Sequence, residues 1–289
     1  MAIKPKQVVI ISGKGGTGKT TVLSSFAVLA KNKVLADCDV DAANLYLLLH
    51  PQETAREDFY GAKIAVRDTE KCTRCGECER RCRFEAITVD DIRIDKCEGC
   101  GLCTLTCPAQ ALTLQTVING ILFTGETAYG SMVHARLNPA AENSGRLVTR
   151  VRQEAEKLAL SENATLVLLD GPPGIGCTVT ASLTDTDLAV VVTEPSLSGM
   201  HDMERVVQLA QHFDIPVAII VNKADINLEN TATIEKFCAK NDIPLLARLP
   251  FDEIVMSANA QQIPLVEYTD NPVSQEIRSA WASVQTMLS

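Results

Sequence analysis

The chain has 289 residues, enough for one large α/β domain and a smaller one. Its net charge is −9, its pI is about 5.0 and aromatic residues make up only 4%, which argues against a nucleic-acid partner. No apolar stretch approaches the roughly 20 residues that span a bilayer, and no charged-then-apolar signal segment opens the chain. We therefore expect a cytoplasmic protein without a membrane anchor.

Short apolar runs alternate with segments of helical period along most of the chain. The first run, Gln7–Ser12, ends in glycine and predicts a buried parallel strand, and a helical pattern follows over Lys19–Ala30. Further strands are predicted at 33–37, 165–170, 188–193, 217–222 and 245–249, and helices at 147–160, 203–213 and 231–240. This alternation indicates an α/β fold with a doubly wound, mostly parallel sheet.

A glycine-rich loop lies between the first predicted strand and the first predicted helix. Glycines at this point let backbone N–H groups turn toward phosphate oxygens, aided by the N-terminus of the helix. Lys19 would neutralise the β- and γ-phosphates, and Thr20 would offer its hydroxyl to Mg²⁺. The predicted nucleotide-binding residues of this loop are Gly13, Gly15, Gly16, Thr17, Gly18, Lys19, Thr20 and Thr21.

Eight of the 11 cysteines fall in two runs of equal spacing. The runs are Cys72, Cys75, Cys78, Cys82 and Cys97, Cys100, Cys103, Cys107, and a shift of 25 residues (97 − 72) overlays them. This is the spacing of a bacterial ferredoxin with two [4Fe–4S] clusters, whereas zinc is the alternative for isolated C-x2-C pairs. Because the fourth ligand comes from the other run, the predicted sets are Cys72, Cys75, Cys78 and Cys107 for one cluster and Cys97, Cys100, Cys103 and Cys82 for the other.

The run from Lys14 to Thr20 resembles the deviant P-loop of the MinD, ParA, Mrp and nitrogenase-iron-protein superfamily. The resemblance implies a Mg-dependent ATPase that forms a homodimer around its nucleotides, in which Lys14 reaches the nucleotide of the partner subunit. It also implies two switch segments, at 35–45 and 168–174. In these, Asp39 would activate the attacking water, while Asp37 and Asp170 would help to hold Mg²⁺.

The resemblance extends to the base-binding residues. Asn222 is expected to contact the base, and Pro250 and Asp252 lie in a loop that matches the one along the adenine in relatives. The run Asn222-Lys223-Ala224-Asp225 is also a guanine-reading pattern, because the Asp225 carboxylate could accept from the guanine N1–H and N2 amine. The family favours ATP, and GTP remains the alternative.

As a whole, the chain resembles a MinD-superfamily ATPase with an inserted α+β, bacterial-type ferredoxin domain. The predicted boundaries are 1–60 and 118–289 for the ATPase and 61–117 for the insert. The leading hypothesis is that nucleotide state controls electron transfer to a redox partner or a metalloenzyme client. The alternatives are an Mrp-like carrier for cluster assembly and, ranked last, a MinD/ParA-like positioning ATPase.

Several features outside these motifs leave two interpretations open. Cys177 and Cys38 are either metal ligands or packed thiols, and the polar stretch over 130–146 is either a client or dimer contact or an ordinary surface loop. A basic patch beside the cysteines either docks an acidic carrier or is a solvated face; its members are Lys71, Arg74, Arg80, Arg81 and Arg83. A C-terminal amphipathic stripe is predicted to pack on the sheet; it consists of Ile277, Trp281, Val284 and Leu288.

Overall fold

The computed structural model describes residues 4–138, 141 and 145–289. Its strands are β1 (Lys6–Ser12), β2 (Lys33–Asp37), β3 (Gln52–Phe59), β4 (Ala62–Arg67), β5 (Leu112–Val117), β6 (Gly120–Thr127), β7 (Gly130–Leu137), β8 (Leu166–Pro173), β9 (Leu188–Thr193), β10 (Val217–Asn222) and β11 (Leu245–Leu249). Its α-helices are α1 (Lys19–Leu29), α2 (Leu45–Leu49), α3 (Glu77–Arg81), α4 (Leu102–Leu105), α5 (Arg146–Glu162), α6 (Cys177–Leu183), α7 (Leu197–His212), α8 (Leu228–Lys240), α9 (Ile254–Ala260), α10 (Leu265–Tyr268) and α11 (Pro272–Leu288).

A nine-stranded sheet has the order β11-β10-β9-β1-β8-β2-β7-β6-β3. The pairs from β11 through to β7 are parallel, which confirms the predicted α/β class. The continuous apolar run Val8–Ile11 is wholly buried in β1, as expected for a parallel strand covered on both faces. Because β1 has β8 on one side and β9 on the other, the strand order reverses at β1 and a binding crevice opens where it ends.

The chain divides into two compact units. The first comprises the described residues up to Arg56, then Leu122–Ala135, and everything from Gly145 onward. The second comprises Glu57–Ile121 and the described residues that follow Ala135, up to residue 141.

The core of the first unit joins helix α1 to the C-terminal helix α11. Phe26 on α1 is fully buried, and its ring centroid lies 5.1 Å from that of Trp281 on α11. Ile277 and Val284 are also fully buried, and Leu288 packs at the edge of the same core. The prediction that the C-terminal stripe is a packing surface is therefore confirmed.

The predicted polar loop at 130–146 is wrong over its first half, where strand β7 forms. Leu35 and Ala36 of β2 pair with Met132 and Val133 of β7, and four consecutive β7 residues are buried. His134 is buried because its ring stacks between Tyr46, at 5.4 Å, and Phe123, at 4.9 Å. Stacking lets this polar residue occupy a core strand. The hydrophobic pattern of the sequence did not predict the strand, because it counts histidine as polar. The residues Glu142, Asn143 and Ser144 of the same prediction lie outside the described residues.

The second unit contains a two-stranded antiparallel sheet of β4 and β5. Ala65 pairs with Leu114, and the register runs from Ala62 opposite Val117 to Arg67 opposite Leu112. Between these strands the chain forms the short helices α3 and α4 and a 3-10 turn at Ile94–Lys96. The eight cysteines of the two runs lie on and beside these short elements, where backbone turns rather than strands hold them.

Candidate functional site

Strand β1 ends in the glycine-rich loop, and left-handed glycines shape it. Gly16 has φ 79° and Gly18 has φ 96°, a region that side-chain-bearing residues rarely adopt. A Cβ on Gly18 would lie 2.4 Å from the Asn222 side-chain nitrogen, so glycine is required there. The Asn222 Nδ2 donates to the Thr17 carbonyl at 2.8 Å, which ties the loop to the end of β10.

Lys19 and Thr20 begin helix α1 directly after this loop, as predicted. Lys19 is only 6% exposed, and its charge lowers the pKa of both Asp39 and Asp170, so it lies close to the two carboxylates. The Thr20 hydroxyl donates to Asp170 Oδ2 at 2.8 Å. The other oxygen, Asp170 Oδ1, is buried and has no hydrogen-bond partner among the residues that the structure describes.

The carboxylates at the ends of β2 and β8 stand close together. Asp37 and Asp170 are fully buried and occupy paired positions of the two parallel strands. Burial raises the pKa of Asp170 to about 7, with Asp39 adding to the rise and Lys19 opposing it. Burial and then the charge of Asp170 raise the pKa of Asp37. These close carboxylates repel one another, and a bound cation would reduce that repulsion.

Asp37 also fixes the backbone of the loop that follows β2, because its carboxylate accepts hydrogen bonds from three N–H groups of that loop. Oδ1 accepts from Asp39 N at 3.1 Å, and Oδ2 accepts from Asn44 N at 3.2 Å and Leu45 N at 3.1 Å. These bonds fix the backbone that carries Asp39, which is partly buried and faces Lys19. Burial raises the pKa of Asp39, with Lys19 lowering it and Asp41 raising it further.

Lys14 is bound to the loop that follows β9 and to the first turn of helix α7. Its ammonium lies 2.5 Å from Glu194 Oε1 and donates to Ser196 Oγ at 3.1 Å and Ser198 Oγ at 3.2 Å. Glu194 also pairs with Lys223, at 3.3 Å. Burial alone would raise the pKa of Glu194, but the two lysines outweigh it and hold that pKa below its ordinary value. Lys14 is thus engaged within its own chain.

The base-binding residues come together at the ends of β10 and β11. Asp225 Oδ1 accepts from the Phe251 N–H at 2.7 Å, and Pro250 and Asp225 line one cavity. Asp252 accepts from Ile254 N through Oδ1, at 2.9 Å, and from Asn271 Nδ2 through Oδ2, at 2.7 Å. The predicted base-binding groups of the first unit therefore share one edge of the sheet with the phosphate loop, because parallel strands end on the same side.

In the second unit, the cysteines line two separate pockets, each with four thiols. Cys72, Cys75, Cys78 and Cys107 surround one, together with Arg67; Cys82, Cys97, Cys100 and Cys103 surround the other, with Phe84, Ile87 and Leu114. These are the two sets that the spacing predicts. Each takes three cysteines from one run and the fourth from the other, although their roles as ligands stay a prediction.

The backbone of the second unit repeats itself with the same 25-residue shift as its sequence. Positive φ angles recur at Arg74 and Gly99 (58° and 59°), at Gly76 and Gly101 (74° and 78°), and at Glu85 and Gln110 (52° and 49°). Amide-to-sulfur bonds recur too: Ala86 N donates to Cys82 Sγ at 3.4 Å, and Ala111 N donates to Cys107 Sγ at 3.3 Å. The cysteine-bearing part of the unit is therefore built from two equivalent halves.

The charge beside the two cysteine pockets is largely compensated. Lys71 pairs with Asp68, Arg74 with Asp90, and both Arg80 and Arg81 with Glu77; Arg83 lies over the Phe84 ring. The predicted basic patch is therefore mostly a set of exposed ion pairs, which supports the solvated-face alternative. Arg67 differs, since it donates to the carbonyls of Thr88 and Val89 and its buried Nε has no hydrogen-bond partner among the described residues.

Within the described part of the chain, no three histidine, cysteine, aspartate or glutamate side chains are grouped so that they could hold one metal ion. A cubane cluster makes a different demand, because each thiolate binds its own iron atom. Crowding of thiols is nonetheless visible at Cys103, whose pKa is raised by burial and then by Cys97 and Cys100.

The remaining cysteines differ in exposure. Cys38 is fully buried and burial raises the pKa of its thiol, so it is an unreactive packing residue. Cys238 is likewise buried in helix α8. Cys177 is exposed at the first position of α6, so its interpretation as a packed thiol is wrong.

Four residues of these sites were not predicted from the sequence: Glu194, Ser196 and Ser198, which bind Lys14, and Arg67. A signal for the first three was present, since they directly follow a buried parallel strand and so lie at the edge where the phosphate loop also lies. Arg67 carried no such signal, because it looks like any polar residue at the end of an edge strand.

The parallel sheet, the glycine-rich loop after its central strand and the hydrogen bond of Thr20 to the buried Asp170 define a P-loop nucleotide-binding protein. Comparison with known families agrees: the CbiA family, described as the CobQ/CobB/MinD/ParA nucleotide binding domain, matches residues 8–265. The chain belongs to this family.

Individual relatives cover almost the whole chain. An uncharacterized protein of Methanocaldococcus jannaschii is 31% identical over 98% of this chain and 97% of its own length. The septum site-determining protein MinD of Synechocystis is 25% identical over 90% of this chain and 81% of its own length. Among solved structures, MinD of Pyrococcus horikoshii complexed with Mg-ADP aligns with a TM-score of 0.62 and 19% identity, over 98% of this chain and 97% of that one.

These relatives overturn the leading functional hypothesis. The names of the two MinD proteins describe septum-site determination and not electron transfer, so the prediction that nucleotide state controls electron delivery to a redox partner or metalloenzyme is wrong. The MinD/ParA-like alternative, ranked last from the sequence, agrees best with them. The cysteine spacing is a poor guide to the protein's task, because such spacing predicts at most a cofactor and not what the protein does with it. No described helix is long and apolar enough to cross a membrane.

Proposed function

We propose that this protein is an ATPase of the MinD/ParA type, which uses ATP binding and hydrolysis to switch between two states. The observation that carries the proposal is the Thr20–Asp170 hydrogen bond, with Asp170 Oδ1 buried and unpartnered beside Lys19. A hydroxyl and a carboxylate oxygen beside the phosphate loop are hard oxygen donors, the kind that Mg²⁺ requires. The described residues therefore fit a Mg-bound nucleotide.

Each residue of the site has a task in this proposal. The loop glycines would bring N–H groups to the phosphates, Lys19 would neutralise them, and Thr20 and Asp170 would hold Mg²⁺. Asp39 orients the attacking water, because Asp37 fixes its backbone and Lys19 keeps it near the phosphates. Hydrolysis depends mainly on such positioning and on charge.

The switch in this proposal is a homodimer that forms around two nucleotides. Lys14 would leave Glu194, Ser196 and Ser198 and reach the nucleotide of the second copy. Its engagement within its own chain supports a resting state in which that role is withheld. Loss of the γ-phosphate would then release the segments that end in Asp39 and Asp170 and let the copies separate.

Lys19→Ala tests this proposal directly. The wild-type protein should hydrolyse ATP only with Mg²⁺ and should double its mass in light scattering when ATP is present. The Lys19→Ala variant should lose both properties, because Lys14, the other lysine of the loop, is held by Glu194 in its own chain and would reach only the partner's nucleotide. The matched control is Lys31→Ala, an exposed lysine after α1, which should change neither. Wild-type protein that neither binds nor hydrolyses ATP would contradict the proposal.

The proposal for the second unit is that its two cysteine sets each hold one [4Fe–4S] cluster. Soft thiolates in two four-membered sets, N–H donors to Cys82 and Cys107, and an internally duplicated backbone support it. When bound, the clusters would give this unit a redox-active centre and hold its loops in place. We assign them no electron-transfer client.

Metal analysis of anaerobically purified protein tests the second part. We expect about eight iron and eight sulfide per chain, with the absorbance of two four-iron clusters. Stoichiometric zinc in place of iron would contradict the cluster proposal and leave the ATPase proposal intact. Cys238→Ser, a buried cysteine outside both sets, is the control that should keep the full iron content.

A further inference from the structure

The run Asn222-Lys223-Ala224-Asp225 allows two roles for its carboxylate. If the site bound guanine, Asp225 would accept hydrogen bonds from the base itself, since guanine presents two N–H donors along one edge. Adenine presents no such pair, so a carboxylate there would find no matching partner. What Asp225 contacts in the folded protein therefore bears on its role.

Asp225 contacts the neighbouring loop. Its Oδ1 accepts the Phe251 backbone N–H at 2.7 Å, and the adjacent Ala224 N–H donates to the Leu249 carbonyl at 2.9 Å. Two hydrogen bonds thus join the segment after β10 to the last residue of β11 and to the loop that follows it. The Thr231 hydroxyl donates to the Ala224 carbonyl at 2.6 Å and holds the first segment against helix α8.

The loop held by Asp225 is fixed on its other side as well. Asp252 accepts from Asn271 Nδ2 at 2.7 Å, and Asn271 Oδ1 in turn accepts the Ser274 N–H at 3.0 Å, capping helix α11. Hydrogen bonds therefore run from Asp225 through residues 251 and 252 to a helix anchored in the core. Lys223, the other charged residue of the run, pairs with Glu194.

We propose that Asp225 is a positioning residue that holds the Pro250–Asp252 backbone beside the base, and that it does not read the base. This inference rests on the proposed function, which places an adenine nucleotide at this edge. In this role the carboxylate contributes to ATP affinity through its hydrogen bond with the Phe251 N–H. The base itself is read by backbone groups that Asp225 keeps in place. An exposed hydrogen bond of this kind corresponds to about three- to tenfold in ATP affinity.

The test compares Asp225→Ala with Asp225→Asn, using titration of ATP, GTP and xanthosine triphosphate into the whole protein. Asp225→Ala should weaken ATP binding by about three- to tenfold and leave the preference for ATP over GTP unchanged. Asp225→Asn should bind ATP almost as wild type, because the amide oxygen still accepts the Phe251 N–H. Turnover should show a raised KM with little change in kcat. Glu229→Ala, an exposed carboxylate at the start of α8, is the control and should bind ATP as wild type.

Three outcomes would overturn the inference. The first is wild-type preference for GTP with a shift of Asp225→Asn toward xanthosine triphosphate, since an amide pairs with the extra carbonyl of xanthine; this would make Asp225 a base reader. The second is ATP affinity unchanged in Asp225→Ala, which would remove its positioning role while leaving the ATPase proposal standing. The third is Asp225→Asn as weak as Asp225→Ala. Absence of all nucleotide binding in the wild type is a different result, because it refutes the proposed function itself.

Discussion

The two units of this chain assemble their functional groups in opposite ways. In the first, the interactions that bring the phosphate loop to its partners join segments far apart in sequence: Thr20 bonds to Asp170, and Lys14 pairs with Glu194. In the second, the groups come from two neighbouring runs, and the same local backbone turn occurs twice. One site is made by the topology of a sheet, and the other by short-range geometry.

The two units also differ in how their charged groups are buried and paired. Charges of the nucleotide site are buried and unbalanced, with the pKa of Asp37, Asp39 and Asp170 all raised. Charges beside the cysteines are exposed and paired, and their salt bridges are of the kind that contributes little to stability. We therefore expect substitutions in the first unit to affect chemistry most, and substitutions in the second to affect cofactor content or stability.

Asp170→Asn should have the largest effect. It should lower ATP turnover by about 100-fold or more, because a bound metal supplies several kcal/mol of charge stabilisation. In the absence of Mg²⁺ the same variant should melt at a higher temperature than wild type, since it removes one of two crowded buried carboxylates. Turnover assays and calorimetry would check both. Asp187→Asn, at the amino end of β9 and paired with Lys6, is the control for loss of a carboxylate. A melting temperature that falls with turnover would show a structural defect instead.

Cys75→Ser should remove about half of the bound iron, because only one of the two sets contains this exposed thiol. The matched control is Cys177→Ser, which is equally exposed and belongs to neither set. Iron analysis and EPR of the reduced protein measure the outcome. Unchanged iron in Cys75→Ser, or equal loss in both variants, would refute the assignment of the sets. ATP hydrolysis in Cys75→Ser tells whether the units depend on one another.

Arg67→Leu should have a moderate effect, confined to the second unit. It deletes hydrogen bonds to the Thr88 and Val89 carbonyls, which should cost about 1–3 kcal/mol of stability. It should also make the reduction potential of the adjoining cluster more negative, because N–H donors and positive charge stabilise the reduced form. A redox titration followed by EPR measures that potential. The exposed Arg81→Leu is the control, and an equal shift there would show that net charge alone is responsible.

Sequence reasoning succeeded where the signal is local. The strand, glycine loop and helix from Gln7 to Ala30 are contiguous, and the grouping of the cysteines into two pockets agrees with their spacing, while their roles as ligands stay a prediction. It failed where neighbours in space decide the outcome. Strand β7 was missed because His134 looks polar until Tyr46 and Phe123 enclose it. Partners such as Glu194 and Phe251 were missed because strand order, which a single sequence does not display, brings them to Lys14 and Asp225.

Glu194→Gln is expected to have the smallest effect, because it weakens an ion pair that is partly exposed to solvent. Freed from the carboxylate, Lys14 should reach a second copy more readily, so the ATP-dependent dimer should form at up to about fivefold lower protein concentration.

The pH dependence of the Lys14–Glu194 ion pair has a definite sign. Since the folded pKa of Glu194 lies below its ordinary value, the wild-type pair persists above the ordinary value and is lost only as pH falls through the lowered one. Sedimentation at neutral pH should therefore separate the variant from wild type, and near the lowered pKa the two should converge. Ser198→Ala, which removes one neutral contact of the same lysine, should lie between them. Weaker dimerisation in Glu194→Gln would mean that Glu194 presents Lys14 to the partner and does not restrain it.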